Sequence, residues 1–200
     1  MSSQQVSWGD PTPAVLFGLG AALLPLGLFT IGLIPLEASP MIAAWLLGLA
    51  VIEVVGGIII LRRGDTLMGS AALFFGCILC IGGGVSGLLH TWWLLAGQAT
   101  SIPLQYEGWS WLASGVAVLL FVPATARASW SLFLAFLEIA ICLILLGLAY
   151  ISGMTWTTTM VVSGWMLFIF ALYCFYAGLV ILTNTIYAKP LLSLGGPLIK

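Results

Sequence analysis

MIAAWLLGLAVIEVVGGIIIL (residues 41–61), RRGDT (62–66) and LMGSAALFFGCILCIGGGVSGLL (67–89) follow one another and decide the fold. Each apolar run is about the 20 residues that a helix needs to cross a bilayer. Neither alternates as a strand would, and both exceed the length of a barrel strand. In lipid only helices and closed barrels satisfy their own backbone groups. The stretch therefore reads as two membrane helices joined by a short basic turn, with Asp65 and Thr66 placed to cap the second.

Working outward, four more segments fit: Ala14–Pro35, Tyr106–Val122, Ala128–Ile151 and Thr159–Thr183. The fold class is an all-α polytopic membrane protein of six transmembrane helices. Residues 1–13 form an N-terminal segment, 14–183 the membrane domain and 184–200 a tail. Composition agrees. Hydrophobic residues make up 62% and charged residues 6% of the chain, against about 45–50% and about 25% in soluble domains. Mean hydropathy is +1.22. So few charges cannot cover a soluble surface, and a net charge of −1 offers no footprint for nucleic acid. The N-terminal MSSQQVSWGD lacks a basic region and a cleavage signal, so no removed leader is expected.

Charge distribution sets the orientation. Arg62, Arg63, Arg127, Lys189 and Lys200 all fall on the side shared by the two termini. The opposite side carries Glu37, Glu107 and His90, and its longest connection, 90–105, has no Lys or Arg. The positive-inside rule puts both termini in the cytoplasm, and a multi-pass protein of the cell inner (cytoplasmic) membrane is expected. Trp92, Trp93, Trp109, Trp111 and Trp156 near the outer ends, with Trp8 and Trp130 near the inner ends, read as aromatic belts. Trp165 lies inside the last span. Two halves of three helices would have opposite topology, as in inverted repeats, although the halves share no sequence similarity.

Local residues add detail. Asp10 with Pro11 and Pro13 suits a helix start, Pro25 implies a kink in the first span, and Asn184 with its flanking threonines closes the last. The 24 glycines, among them a GxxxG at Gly83 and Gly87, read as close helix packing. Cys77, Cys80, Cys142 and Cys174 sit in apolar runs and read as small filler rather than metal or redox groups. No zinc-protease, P-loop or nucleophile-elbow motif is present. No enzyme activity, cofactor or metal is expected. His90 reads as an outer-edge residue, or else as a pH-responsive gate.

Glu53 and Glu138 stand out. At about 1.5 Å per residue, they lie about 13 Å from Arg62 and about 16 Å from Arg127, near the middle of the hydrocarbon layer. An ionised carboxylate there is costly, so each must be protonated, paired or facing water. Proton handling and neutral hydrogen-bonded glue are the two readings.

Three motifs resemble the bacterial and fungal acetate uptake transporters, the family of the succinate–acetate proton symporter. Asp10-Pro11-Thr12-Pro13-Ala14-Val15-Leu16 is similar to that family's Asn-Pro-Ala-Pro-Leu-Gly-Leu signature, with Asp10 in place of Asn. Gly56–Thr66 and the stretch from Thr183 to Lys189 match two further segments. The resemblance implies a hexamer in which each six-helix protomer has its own path. It places Leu19 at the first-span aromatic constriction, Phe75 at a third-span Tyr, Leu137 or Ala140 near a fifth-span Leu, and Glu53 where Gln is usual. It implies proton-coupled transport of acetate or a similar small monocarboxylate. An apolar seal around Leu19 and Phe75 and a vestibule of hydroxyls, Asn184 and backbone amides would serve that task. The alternatives are a channel for small neutral solutes such as urea, amides or ammonia, and a non-transporting scaffold subunit.

Overall fold

The computed structural model describes residues 8–97, 104–153 and 157–199. Six helices are long and apolar enough to cross a membrane, and the chain is a multi-pass membrane protein. They are α1 (Thr12–Ile31), α2 (Ser39–Arg62), α3 (Thr66–Leu95), α4 (Leu104–Thr125), α5 (Trp130–Ile151) and α6 (Thr157–Tyr187). A 3₁₀ turn, Leu36–Ala38, leads into α2.

The helix ends follow local chemistry. The Asp10 carboxylate accepts from the Thr12 amide at 3.0 Å and the Thr12 hydroxyl at 2.6 Å, which steadies the start of α1. That helix stops at Ile31, short of the expected Pro35, because Gly32 takes a left-handed φ of 88° and its amide turns back to Leu28 and Phe29. Asp65 caps α3 through the Met68 amide at 3.0 Å. Ser129 caps α5 through the Leu132 amide at 3.1 Å. Spans α2, α3, α4 and α6 run longer than expected. His90 lies inside α3 rather than in a connection, and α6 continues past Asn184 to Tyr187. Trp156, Lys200 and residues 98–103 of the long connection lie outside the described residues.

The helices form three close antiparallel pairs: α1 with α6, α2 with α3 and α4 with α5. Looser contacts of α1 with α2 and of α5 with α6 complete the bundle. An inverted repeat would match α1–α2 to α4–α5; instead α1 takes α6 as its close partner. Glycine permits the approach. A Cβ on Gly27 would stand 2.8 Å from the Gly164 carbonyl, and one on Gly164 would stand 2.9 Å from the Gly27 carbonyl. The same holds between Gly147 and the Gly108 carbonyl, at 2.8 Å. The packing reading of these glycines is what the backbone shows, including Gly87 against Ala43 at 2.9 Å.

The core runs down the bundle axis through Leu19, Leu23, Leu46, Phe75, Phe136, Leu143, Leu167 and Phe170. Large apolar side chains also cover the outside, such as Val55, Leu120 and Leu179. Outer faces this apolar suit a lipid solvent. Arg62, Arg63, Asp65, Arg127 and Lys189 share one end of the bundle with the start of α1 and the end of α6. There the Arg63 guanidinium donates to the Trp8 carbonyl. This is called the basic end below, and the other the far end.

Candidate transport path

At the far end a cavity of about 340 Å³ opens among the helices. Its wall is mostly apolar, with polar side chains from five helices: Thr30 of α1, Ser39 of α2, His90 of α3, Glu107 of α4 and Tyr150 of α5. The Glu107 carboxylate is the fixed point. Trp111, one turn on along α4, donates its indole N–H to Oε1 at 3.2 Å. His90 brings Nε2 to 3.2 Å from Oε2 across the α3–α4 gap. His90 is therefore a half-buried wall residue of the cavity, not a side chain on the outer surface.

Towards the basic end the bundle closes on aromatic rings. Phe75 meets Phe136 edge-on at 6.1 Å and Phe170 at 6.1 Å. Phe121 and Phe74 extend the cluster, with centroids 6.3 Å from Phe136 and 6.2 Å from Phe121 respectively. Leu19 is 4% and Phe75 3% exposed, and both belong to this core. Leu137 is half-buried against it. Ala140 is fully buried at the α4–α5 contact, its carbonyl 2.9 Å from where a Gly115 Cβ would stand. Phe75 opens a π-helical segment, Phe75–Gly82, within α3. Such widened turns recur at functional positions.

Glu53 lies against this segment. It is wholly buried, and neither carboxyl oxygen has a hydrogen-bond partner. Two missing side chains make its slot. A Cβ on Gly76 would come within 2.6 Å of the Glu53 Cβ, and one on Gly18 within 3.5 Å of Oε1. The backbone amide of Leu19 is a donor turned towards it, outside strict hydrogen-bond geometry. Both Glu138 oxygens are likewise buried and unpartnered, so the two acids are not hydrogen-bonded to each other. Cys174 of α6 lies within electrostatic reach of both.

Asn184 does not close its helix and does not stand in the far-end vestibule. Its amide donates to the Leu192 carbonyl at 2.8 Å and accepts from the Leu192 amide at 3.1 Å. It pins the tail under the basic end. There the Tyr176 hydroxyl donates to Ser193 at 2.9 Å and the Ser131 hydroxyl to Leu194 at 2.5 Å. The orphaned helix-end groups are used too. The Trp130 amide donates to Gly196 at 2.9 Å, and Ala126 accepts from Leu198 at 2.8 Å. Asp10, Pro11 and Pro13 serve the start of α1 at this same end.

The structure thus brings Leu19 and Phe75 into one core and leaves Asn184 at the basic end. Phe136, Phe170 and the His90–Glu107 contact escape sequence reasoning. Only the Glu107–Trp111 spacing of one helical turn is a local signal.

No protein-family model matches the sequence, and no curated protein matches it. Among solved structures, the bacterial acetate channel SatP is similar with a TM-score of 0.83, covering 94% of this chain and 100% of that one, at 19% identity. At that identity the likeness is one of fold, and it extends over nearly the whole six-helix bundle.

Proposed function

We propose that this protein carries acetate or a similar small monocarboxylate across the cytoplasmic membrane, coupled to protons. The observation that carries the reading is the likeness, along nearly the whole chain, to the fold of an acetate channel. A far-end cavity gives the solute a vestibule. Leu19 and Phe75, with Leu137 and Ala140 beside them, are the apolar seal that it must pass. A seal of this kind suits passage, which needs weak binding rather than a deep well. Glu53 and Glu138 are the proton-handling groups, since buried carboxyls without partners have a use for a proton. The basic end is cytoplasmic by the positive-inside rule, and the protomers assemble as a homohexamer with one path each.

A second reading has one observation in its favour. Glu53, Glu107 and Glu138 lie inside the bundle, while every described Lys and Arg lies at the basic end. That balance suits a neutral solute such as urea, an amide or ammonia. Purified protein in liposomes decides between them. Labelled acetate uptake is expected to exceed that of protein-free liposomes and to rise when the outside is acidified. Faster entry of urea than of acetate selects the neutral-solute channel, and uptake of neither leaves a scaffold. Mass measurement in mild detergent is expected to give six chains; a stable monomer refutes the ring.

A further inference from the structure

Two tight helix pairs meet across a loose seam in the wall of the far-end cavity. On one side α3 is locked to α2 on the face that carries His90. A Cβ on Gly87, three residues earlier, would stand 2.9 Å from the Ala43 Cβ. On the other side α4 is locked to α5 beside Glu107. A Cβ on Gly108 would stand 2.7 Å from the Ile151 amide nitrogen and 2.8 Å from the Gly147 carbonyl. The counterpart between α3 and α4 is looser. A Cβ on Gly83 would stand 3.4 Å from the Trp111 ring, an ordinary side-chain contact, and these two helices are not a close pair.

His90 and Glu107 cross this seam. Nε2 and Oε2 are 3.2 Å apart, with the side chains 24% and 18% exposed. That shielding limits screening by bulk water, yet protons still reach the pair. The contact lacks hydrogen-bond geometry, so its attraction rests on charge. A neutral imidazole supplies little; an imidazolium makes the contact an ion pair. Histidine is the side chain whose charge changes between about pH 5 and 8. The Trp111 N–H on Oε1, at 3.2 Å, keeps the carboxylate from following His90 if the imidazole moves away. No neighbour takes over the role. Among the described residues of the wall, α1 presents Thr30, α2 Ser39, α5 Tyr150 and α6 Met160. Tyr150 is within electrostatic reach of Glu107, but a phenol keeps its proton in that range. Glu37, on the turn before α2, is exposed and outside the wall.

We propose that His90 and Glu107 form a proton-operated latch that ties the α2–α3 pair to the α4–α5 pair across the far-end cavity. With a proton on His90 the seam is drawn together and the wall is whole. Without it the two pairs are free to part, and the wall opens between α3 and α4. The latch goes beyond the transport reading and does not depend on which solute occupies the cavity.

The test reads the width of the seam directly. Spin labels go on cysteines at Leu95 and Tyr106, both exposed at the far-end tips of α3 and α4, in the purified full chain with Cys77→Ser and no solute added. The distance distribution is expected to be short and narrow at about pH 5 and to shift outward by several ångströms at about pH 8. In His90→Gln and in Glu107→Gln the long, broad distribution is expected at both pH values. In His90→Lys, which keeps a positive charge over this range, the short one is expected at both. A distance that does not change with pH while His90 and Glu107 are both present overturns the latch, and that arm needs neither residue replaced. A pH response that survives in His90→Gln overturns it too. Uptake is no part of the readout, so failure of the latch leaves the transport reading intact, and failure of uptake leaves the latch standing.

Discussion

The two ends of the bundle are built from the same kind of apolar helix and behave as opposites. At the far end the helices part around a cavity, and its polar side chains turn inward, with Glu107 held by Trp111 and faced by His90. At the basic end the chain returns across the bundle. Leu192, Leu194, Gly196 and Leu198 bind Asn184, Ser131, Trp130 and Ala126. Polar groups hold a space open at one end and hold a cover down at the other. In between, Phe75, Phe136 and Phe170 separate the two without any polar contact. The contrast teaches that two ends built from the same apolar helices differ by where their polar side chains and backbone groups find partners.

The largest expected effect concerns which end faces out. A single cysteine at Ala96, exposed just after α3, is expected to react with an impermeant maleimide in intact cells. One at Lys189 is expected to react only after permeabilisation. The reverse pattern inverts the orientation, and labelling of both sites in intact cells breaks the six-span count.

Removing the partition comes next. Phe75→Ala deletes a core ring, a change that costs about 3–5 kcal/mol of stability, and is expected to loosen the seal proposed above. Proteoliposomes with this variant are expected to lose substrate discrimination by an order of magnitude, read as the acetate-to-urea rate ratio. An unchanged ratio in a folded variant moves the seal elsewhere.

Loosening the cover gives a smaller effect. Asn184→Ala removes two hydrogen bonds of about 0.5–1.5 kcal/mol each. A cysteine at Ser193 is expected to react several-fold faster in that background, with the far-end cavity unaffected. Equal reactivity means that the remaining tail contacts suffice.

The finest test asks whether the buried acids between the two ends carry protons. Glu53→Gln, Glu138→Gln and the double variant keep shape while abolishing titration. At least one is expected to flatten the dependence of initial uptake rate on pH between about 5 and 8, the range spanned by ordinary physiological titration. Three unchanged profiles in folded protein leave the acids as structural groups.

Much of the fold is legible in single residues. Six spans follow from apolar length, because the hydrocarbon layer sets the length of a helix that crosses it. The basic residues sort to one side, and Asp10 and Asp65 mark helix starts because a carboxylate beside free amide groups is a local, short-range device. Asn184 was legible as a polar residue near a helix end, but its partner Leu192 was not, since a turn back of the chain brings the two together.

What the amino-acid order by itself determined is the number of helices, their starts and the end that bears the positive charge. Only the tertiary structure decided which face of each helix turns inward. In a soluble protein a polar stripe marks the outside, but in lipid both faces are apolar, and the periodic signal that would reveal the core is weak. So nothing local pairs Phe75 with Phe136 and Phe170, or His90 with Glu107. Nor does anything local show that Glu53 fills a slot left by Gly18 and Gly76 rather than meeting Glu138. Those arrangements depend on how closely glycine lets particular helices approach, which is a property of the assembled bundle.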